Sequence, residues 1–267
     1  GDYVWGFDHR RGVICASIRI NMYKKNKYTI RTNEPLTESV WRMTLTGDTQ
    51  YITAAGQFVN IELEGHFLRR PISVCDYDAQ SLTLIYKVVG EGTAQMSRMR
   101  VGEQLDLLTG LGNGFTIDVP TAAPLLVGGG VGVPPLYNLA KRLLVAGKKV
   151  SVVLGFNTAA ECFYVDEFRA LGAKVVVATA DGSVGTCGFV TTVLAEQKIT
   201  YDYLYACGPL PMLRALCEQT TVPGQLSMEE RMGCGFGGCM GCTCQTTRGA
   251  KRICKEGPVL MKEEIIW

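Results

Sequence analysis

Pro124-Leu125-Leu126-Val127-Gly128-Gly129-Gly130-Val131-Gly132-Val133-Pro134-Pro135 is the stretch where the chain changes rhythm. An apolar run without polar alternation reads as a strand buried on both faces, and the glycines after it as a strand-to-helix turn. A helix is predicted over 134–145, with Leu136, Leu139, Ala140, Leu143 and Leu144 on one stripe. Strands then alternate with helices: Val150-Ser151-Val152-Val153-Leu154-Gly155, a helix over 166–171, Lys174-Val175-Val176-Val177-Ala178, a helix over 189–196, Tyr203-Leu204-Tyr205-Ala206, and a helix over 211–217. That alternation predicts a doubly wound parallel sheet whose ligand lies beyond the carboxyl ends of the strands. Gly128, Gly129, Gly130 and Gly132 stand where a dinucleotide pyrophosphate would sit, with Pro134 in the place of the last glycine of G-x-G-x-x-G. Alone, such a loop is equally a tight strand–helix turn. Cys207-Gly208-Pro209 ends the strand at 203–206, and Gly208 leaves room for a flat ring. Cys207 reads either as a catalytic position beside that ring or as a buried core thiol.

Upstream, over 28–118, the pattern is mostly strands. Val40-Trp41-Arg42-Met43-Thr44-Leu45, Phe58-Val59-Asn60-Ile61-Glu62-Leu63 and Ser81-Leu82-Thr83-Leu84-Ile85-Tyr86 alternate, separated by turn-rich gaps. Short strands at this spacing predict a small antiparallel barrel, interrupted by one helix near 94–99. Arg70-Pro71-Ile72-Ser73 just after a strand can hold a flavin phosphate and the isoalloxazine edge. Gly90-Glu91-Gly92-Thr93 leads into the helix, where backbone N–H groups can approach a pyrophosphate. Each alone is ordinary turn chemistry; together, ahead of a nucleotide-binding-like sheet, they point to a flavin.

Downstream, 224–267 is rich in glycine and cysteine. Cys234-x4-Cys239-x2-Cys242 followed by Cys254 is the plant-type [2Fe–2S] arrangement. Four thiolates must surround a compact cluster and backbone N–H groups must turn toward the sulfurs, for which Gly233, Gly235, Gly237, Gly238 and Gly241 supply conformational freedom. The competing reading is structural zinc, which more often uses two C-x2-C knuckles where this chain has one. Cys244, two residues past Cys242, is a possible competitor for a ligand position.

The bulk numbers narrow the field. A net charge of +2 gives no general argument for nucleic acid or an anionic membrane. The most apolar stretch, 122–136, is broken by glycines and prolines, so no membrane span is expected. Eleven cysteines, an odd number with five crowded near the end, suit a metal in a reducing compartment better than a disulfide framework, so a cytoplasmic location is expected. Only two histidines, His9 and His66, leave no plausible Rieske pair and no hydrolase triad. Residues 1–21 lack signal-peptide features and read as an extension ahead of a start at Met22, or as a segment packed on the body.

Arg-Pro-Ile-Ser at 70–73, Gly-Glu-Gly-Thr at 90–93, the glycine loop at 128–134 and Cys-Gly-Pro at 207–209, in this order, resemble the ferredoxin-NADP reductase superfamily. Cys234-Gly235-Phe236-Gly237-Gly238-Cys239-Met240-Gly241-Cys242-Thr243-Cys244 and Cys254-Lys255-Glu256-Gly257-Pro258-Val259 are most similar, within it, to electron-transfer subunits of type B dihydroorotate dehydrogenase. The resemblance covers 28–267 and implies three units: an FAD-binding β-barrel over 28–119, an NAD-binding α/β domain over 120–222 and a [2Fe–2S] domain over 223–267, behind an N-terminal extension over 1–27. It implies FAD on Arg70, Pro71, Ile72, Ser73, Ile85, Tyr86, Lys87, Gly92 and Thr93, and the cluster on Cys234, Cys239, Cys242 and Cys254. The loops at 128–133 and 207–209 would hold the nicotinamide against the flavin. It further implies an FMN-containing catalytic partner that oxidises dihydroorotate, in a heterotetramer of two plus two, with electrons delivered to NAD+. A flavin belongs between a two-electron nicotinamide and a one-electron cluster because it can trade in both. The apolar surface at Phe236 and Met240 is then a docking face for the partner, or a shield for the cluster. Runners-up are the small subunit of a bifurcating ferredoxin–NADP reductase, or of a hydrogenase or sulfite reductase complex; from another class, a zinc-stabilised nucleotide-binding module without redox activity.

Overall fold

The computed structural model describes residues 23–267 and, before them, only the backbone pairing of β1 (Tyr3–Asp8) with β2 (Val13–Ile18). The rest of the extension expected over 1–21 lies outside the described residues. Six strands follow: β3 (Lys24–Pro35), β4 (Val40–Thr46), β5 (Phe58–Glu62), β6 (Arg70–Tyr77), β7 (Ser81–Lys87) and β8 (Gln104–Leu111). They close into an antiparallel barrel in the order β3-β4-β7-β6-β5-β8. Closure leaves no strand edge unpaired. Alternation sends Ile30, Met43, Leu45, Val59, Ile61, Leu82, Leu84 and Leu107 inward, all fully buried. Helix α1 (Glu91–Arg98) buries Met96 against this core, and Asn33 Nδ2 donates to the carbonyls of Met96 at 2.8 Å and Met99 at 2.9 Å.

The second body is a seven-stranded sheet. Its parallel strands are β9 (Pro124–Gly129), β10 (Ser151–Phe156), β11 (Lys174–Thr179), β12 (Thr186–Cys187), β13 (Tyr203–Cys207) and β14 (Gly224–Ser227), joined by α2 (Pro135–Val145), α3 (Val165–Ala170), α4 (Val190–Glu196) and α5 (Leu210–Gln219). The hairpin of β15 (Thr243–Thr246) with β16 (Gly249–Arg252) follows, and β17 (Val259–Met261) then adds antiparallel to β14. The order is β12-β11-β10-β9-β13-β14-β17. Chain direction across the sheet reverses between β9 and β13, which makes their carboxyl ends the topological switch point. All six residues of β9 are buried, as the unbroken apolar run requires.

The barrel and the sheet are clamped together through α2. Asn138 Nδ2 donates to Asp76 Oδ1 at 2.6 Å, Lys141 Nζ pairs with Asp76 Oδ2 at 3.0 Å, and Arg142 reaches the Thr53 carbonyl at 3.2 Å and the Tyr77 hydroxyl. Beneath these contacts Val40, Cys75 and Ile85 of the barrel share one apolar core with Leu136, Tyr164 and Phe168 of the sheet layer. Polar contacts at the rim of a shared apolar core hold the two bodies together.

Two expectations need correction. The first barrel strand starts at Lys24, so the extension stops short of 27. Arg70-Pro71-Ile72-Ser73 opens strand β6 instead of following a strand, and pairs residue for residue with 58–61 of β5. Within 223–267 the β15–β16 hairpin forms a small sheet of its own beside the cysteines, while β14 and β17 on its flanks extend the parallel sheet. Among the described residues no helix is long and apolar enough to cross a membrane.

Candidate functional site

A cleft of about 830 Å³ opens between barrel and sheet. Its barrel wall is Arg70, Pro71, Ile72 and Ser73 on β6, Ile85, Tyr86 and Lys87 at the end of β7, and Thr93 on α1. Gly92 stands behind that wall: a Cβ there would come within 2.4 Å of Arg70 Nε, so the bare backbone lets the guanidinium lie across the start of α1. The Thr93 hydroxyl turns back on the loop, accepting from the Val89 N–H at 3.0 Å. The Tyr86 ring belongs to the barrel core and its hydroxyl donates to Asn33 Oδ1 at 2.9 Å, so it offers the cleft its backbone.

The sheet wall is the switch point. Gly129, Gly130 and Gly132 line it after β9, and Cys207, Gly208 and Pro209 after β13. Gly128 does not line the cleft; a Cβ there would meet Val133 Cγ2 at 3.0 Å and Leu136 Cδ1 at 3.2 Å, so it is the glycine that lets the turn and α2 close on β9. Gly132 touches β13 directly, since a Cβ there would fall 2.2 Å from the Cys207 carbonyl oxygen.

Beside the cleft, the cysteine loop lies on the outer face of the barrel. The N–H groups of Gly238 and Cys239 point at Cys234 Sγ at 3.2 and 3.4 Å, the Cys234 N–H at Cys239 Sγ at 3.5 Å, and the Cys254 N–H at Cys242 Sγ at 3.4 Å. Gly235 and Gly237 take φ of 75° and 90°, which aims these donors inward. Burial pushes the Cys234 thiol up, but the N–H groups of Phe236, Cys239 and Gly238 and the Cys239 side chain outweigh it and bring it down to about 6. The inward N–H groups thus favour the thiolate, the form that binds metal. The four sulfurs form two adjoining pairs, Cys234 with Cys239 and Cys242 with Cys254. Among the described residues no three His, Cys, Asp or Glu side chains converge as around a single ion. Two cysteine pairs with inward N–H donors would suit a two-iron cluster, which the four sulfurs would hold once deprotonated. Cys244 packs beside Cys242 from β15 and, among the described residues, shares no hydrogen bond with any of the four.

Comparison with known proteins follows this division. Residues 229–266 match the iron-sulfur cluster binding domain of dihydroorotate dehydrogenase B, and residues 126–218 an oxidoreductase NAD-binding domain. The dihydroorotate dehydrogenase B (NAD(+)) electron transfer subunit of Geobacillus sp. (strain WCH70) is 44% identical over 258 residues, 92% of this chain and 100% of the relative. That of Bacillus caldolyticus is 43% identical over 257 residues, again 92% and 100%. The chain belongs to the dihydroorotate dehydrogenase B electron transfer subunit family. A solved structure of an NADH-dependent reduced ferredoxin-NADP oxidoreductase, described for flavin-based electron bifurcation, superposes with a TM-score of 0.82 at 30% identity, covering 90% of each chain.

In this family member Cys207 lies in the cleft wall with its thiol pushed up to about 12 by burial, against a smaller opposing effect of the Ser227 hydroxyl and reinforced by the Glu229 carboxylate. It is a neutral, compact wall group at physiological pH and no thiolate nucleophile. Arg169 pairs with Asp166 at 2.9 Å and is not part of the cleft wall; Asn157 is, and donates to Glu161 Oε2 at 2.8 Å. Sequence reasoning missed Phe58, Glu161, Phe189, Met212, Glu229 and Met232 as cleft residues. Phe189, an exposed aromatic just ahead of a helix, was the one visible in the pattern.

Proposed function

We propose that this chain is the electron-transfer subunit of an NAD-dependent dihydroorotate dehydrogenase, taking electrons from an FMN-bearing catalytic partner and delivering them to NAD+. The observation that carries the reading is the single cleft joining the β6 motif to the switch point, with Phe58 in its wall and also packed on Cys242 and Cys254. In this reading FAD lies on Arg70, Pro71, Ile72, Ser73, Ile85, Tyr86, Lys87, Gly92 and Thr93. Gly129, Gly130, Gly132, Gly208 and Pro209 receive the nicotinamide dinucleotide, with Gly128 setting the turn behind them. Cys234, Cys239, Cys242 and Cys254 hold a [2Fe–2S] cluster. Bound together, these groups exchange a hydride for single electrons. The protein's part would be to bring the two bound groups together in the cleft, exclude water and keep Cys207 neutral. Arg70 supplies a positive charge for a phosphate, and α1 adds its N-terminal N–H groups. The assembly is a heterotetramer of two plus two, with the partner docked over the apolar surface at Phe236 and Met240, which are 44% and 55% exposed.

A second reading, the small subunit of a bifurcating ferredoxin–NADP reductase, draws on the structural match at 30% identity; the relatives at 43–44% favour the first. The test is anaerobic purification with a co-expressed catalytic partner, followed by flavin, iron and sulfide analysis and a dihydroorotate-dependent NAD+ reduction assay. FAD with equal iron and sulfide is expected. A colourless protein holding one zinc refutes the reading.

A further inference from the structure

Strand β5 turns two residues outward, and the function above gives a role to Phe58 but none to Asn60. Phe58 joins the cleft wall to the packing around Cys242 and Cys254. Two residues on, Asn60 is 1% exposed and donates from Nδ2 to the Cys234 carbonyl at 3.0 Å. Its Oδ1 is buried with no hydrogen-bond partner among the described residues. Burying half a carboxamide unpaired costs stability, so packing alone does not account for an asparagine here. The contact is close: a Cβ on Gly235, at φ 75°, would fall 2.3 Å from Asn60 Nδ2. On the neighbouring strand Asn60 pairs with Pro71 of β6, and its own carbonyl accepts from Arg69 Nη1 at 3.1 Å. One residue therefore touches the start of the cysteine loop and sits in register with the Arg-Pro-Ile-Ser strand.

We propose that Asn60 is a positioning residue for electron transfer. It ties the Cys234 carbonyl to the strand paired with the flavin-facing motif, and so sets both the place of the cluster loop and the polarity beside it. The inference rests on the functional reading above. Nδ2 also polarises the Cys234–Gly235 peptide at the head of the turn whose later N–H groups face Cys234 Sγ. Loss of that donor frees the carbonyl and lets the loop take more than one arrangement.

The test uses the complex purified with its partner. Asn60→Leu removes the donor while keeping bulk; Asn60→Ala removes it while leaving space, and decides the matter if the leucine variant does not fold. Reduced-cluster EPR spectra, cluster midpoint potential and the rate of flavin-to-cluster electron transfer are measured beside FAD content and melting temperature. With FAD bound and the fold intact, the expected result is altered or broadened EPR features, a shifted potential and a slower transfer. Spectra and potential that superimpose on those of the unaltered complex overturn the proposal. If the unaltered complex itself lacks flavin or the cluster, it is the functional reading that fails, and the two failures are distinguishable.

Discussion

Replacing Gly132 by alanine would separate the two loops that meet at the switch point. The added Cβ would lie 2.2 Å from the Cys207 carbonyl oxygen, 2.4 Å from its carbon and 2.6 Å from Gly208 Cα. Carbon atoms rest about 3.5 Å apart, so roughly 1 Å of separation has to be found. All three atoms are backbone, and no side chain can swing away. Overpacking of this kind costs about 1–3 kcal/mol of stability. A displacement of about 1 Å at a reacting pair lowers the rate by about 10²-fold. The comparison variant is Gly130→Ala, where φ is 52° but the Cβ would meet nothing within 4 Å. It carries about 1–2 kcal/mol of backbone strain and no loop separation. Anaerobic stopped-flow reduction of the bound flavin by NADH, with melting temperature alongside, tells the two apart: both variants melt earlier and only Gly132→Ala is slow. Equal rates in the two variants would refute the contact argument.

Other outcomes follow from the same geometry. Cys239→Ser is expected to lose the cluster absorbance while keeping flavin, whereas Cys244→Ser keeps both, as visible spectra and iron analysis will show. Arg70→Ala weakens FAD retention by about 10–100-fold, the loss of one charge-assisted hydrogen bond, read by flavin titration. Glu161→Gln removes a carboxylate from the cleft wall and raises the ratio of NADPH to NADH use about tenfold, as like-charge repulsion worth about 1.4 kcal/mol implies; steady-state kinetics with both cofactors checks it. Burial raises the Cys207 thiol to about 12, so it stays protonated as pH rises through the ordinary thiol range, and the pH profile of flavin reduction by NADH is the same in Cys207→Ser as in the unaltered protein.

The clamp at Asp76 gives these predictions a common basis. Asn138 and Lys141 hold the barrel to the sheet by contacts at 2.6 and 3.0 Å beside the cleft they share. Neither residue stood out in the sequence. Each is an unremarkable polar side chain on a helix, and its partner lies more than sixty positions away.

Local chemistry made much of this protein legible before any coordinates. Apolar runs of period two or none, broken by glycine, specify strands; Leu136, Leu139 and Leu143 specify a helix face; four cysteines at plant-type spacing point to an iron–sulfur domain, because ligand number and loop length are properties of short stretches of chain. What the chain order could not convey is which distant segments share a surface. Gly128 and Gly132 look alike in sequence, yet one packs against α2 and the other against the end of β13. Phe58 and Asn60 read as strand residues, and only barrel closure turns them toward the cysteines. The segment after 223 reads as a small cysteine-bearing unit, and only pairing across the sheet shows that β14 and β17 on its flanks also extend the parallel sheet. Periodicity and spacing act over a few residues, whereas the cleft, the clamp and the link from flavin wall to cysteine loop depend on contacts between residues far apart in the chain, which form only when the whole barrel and sheet have packed.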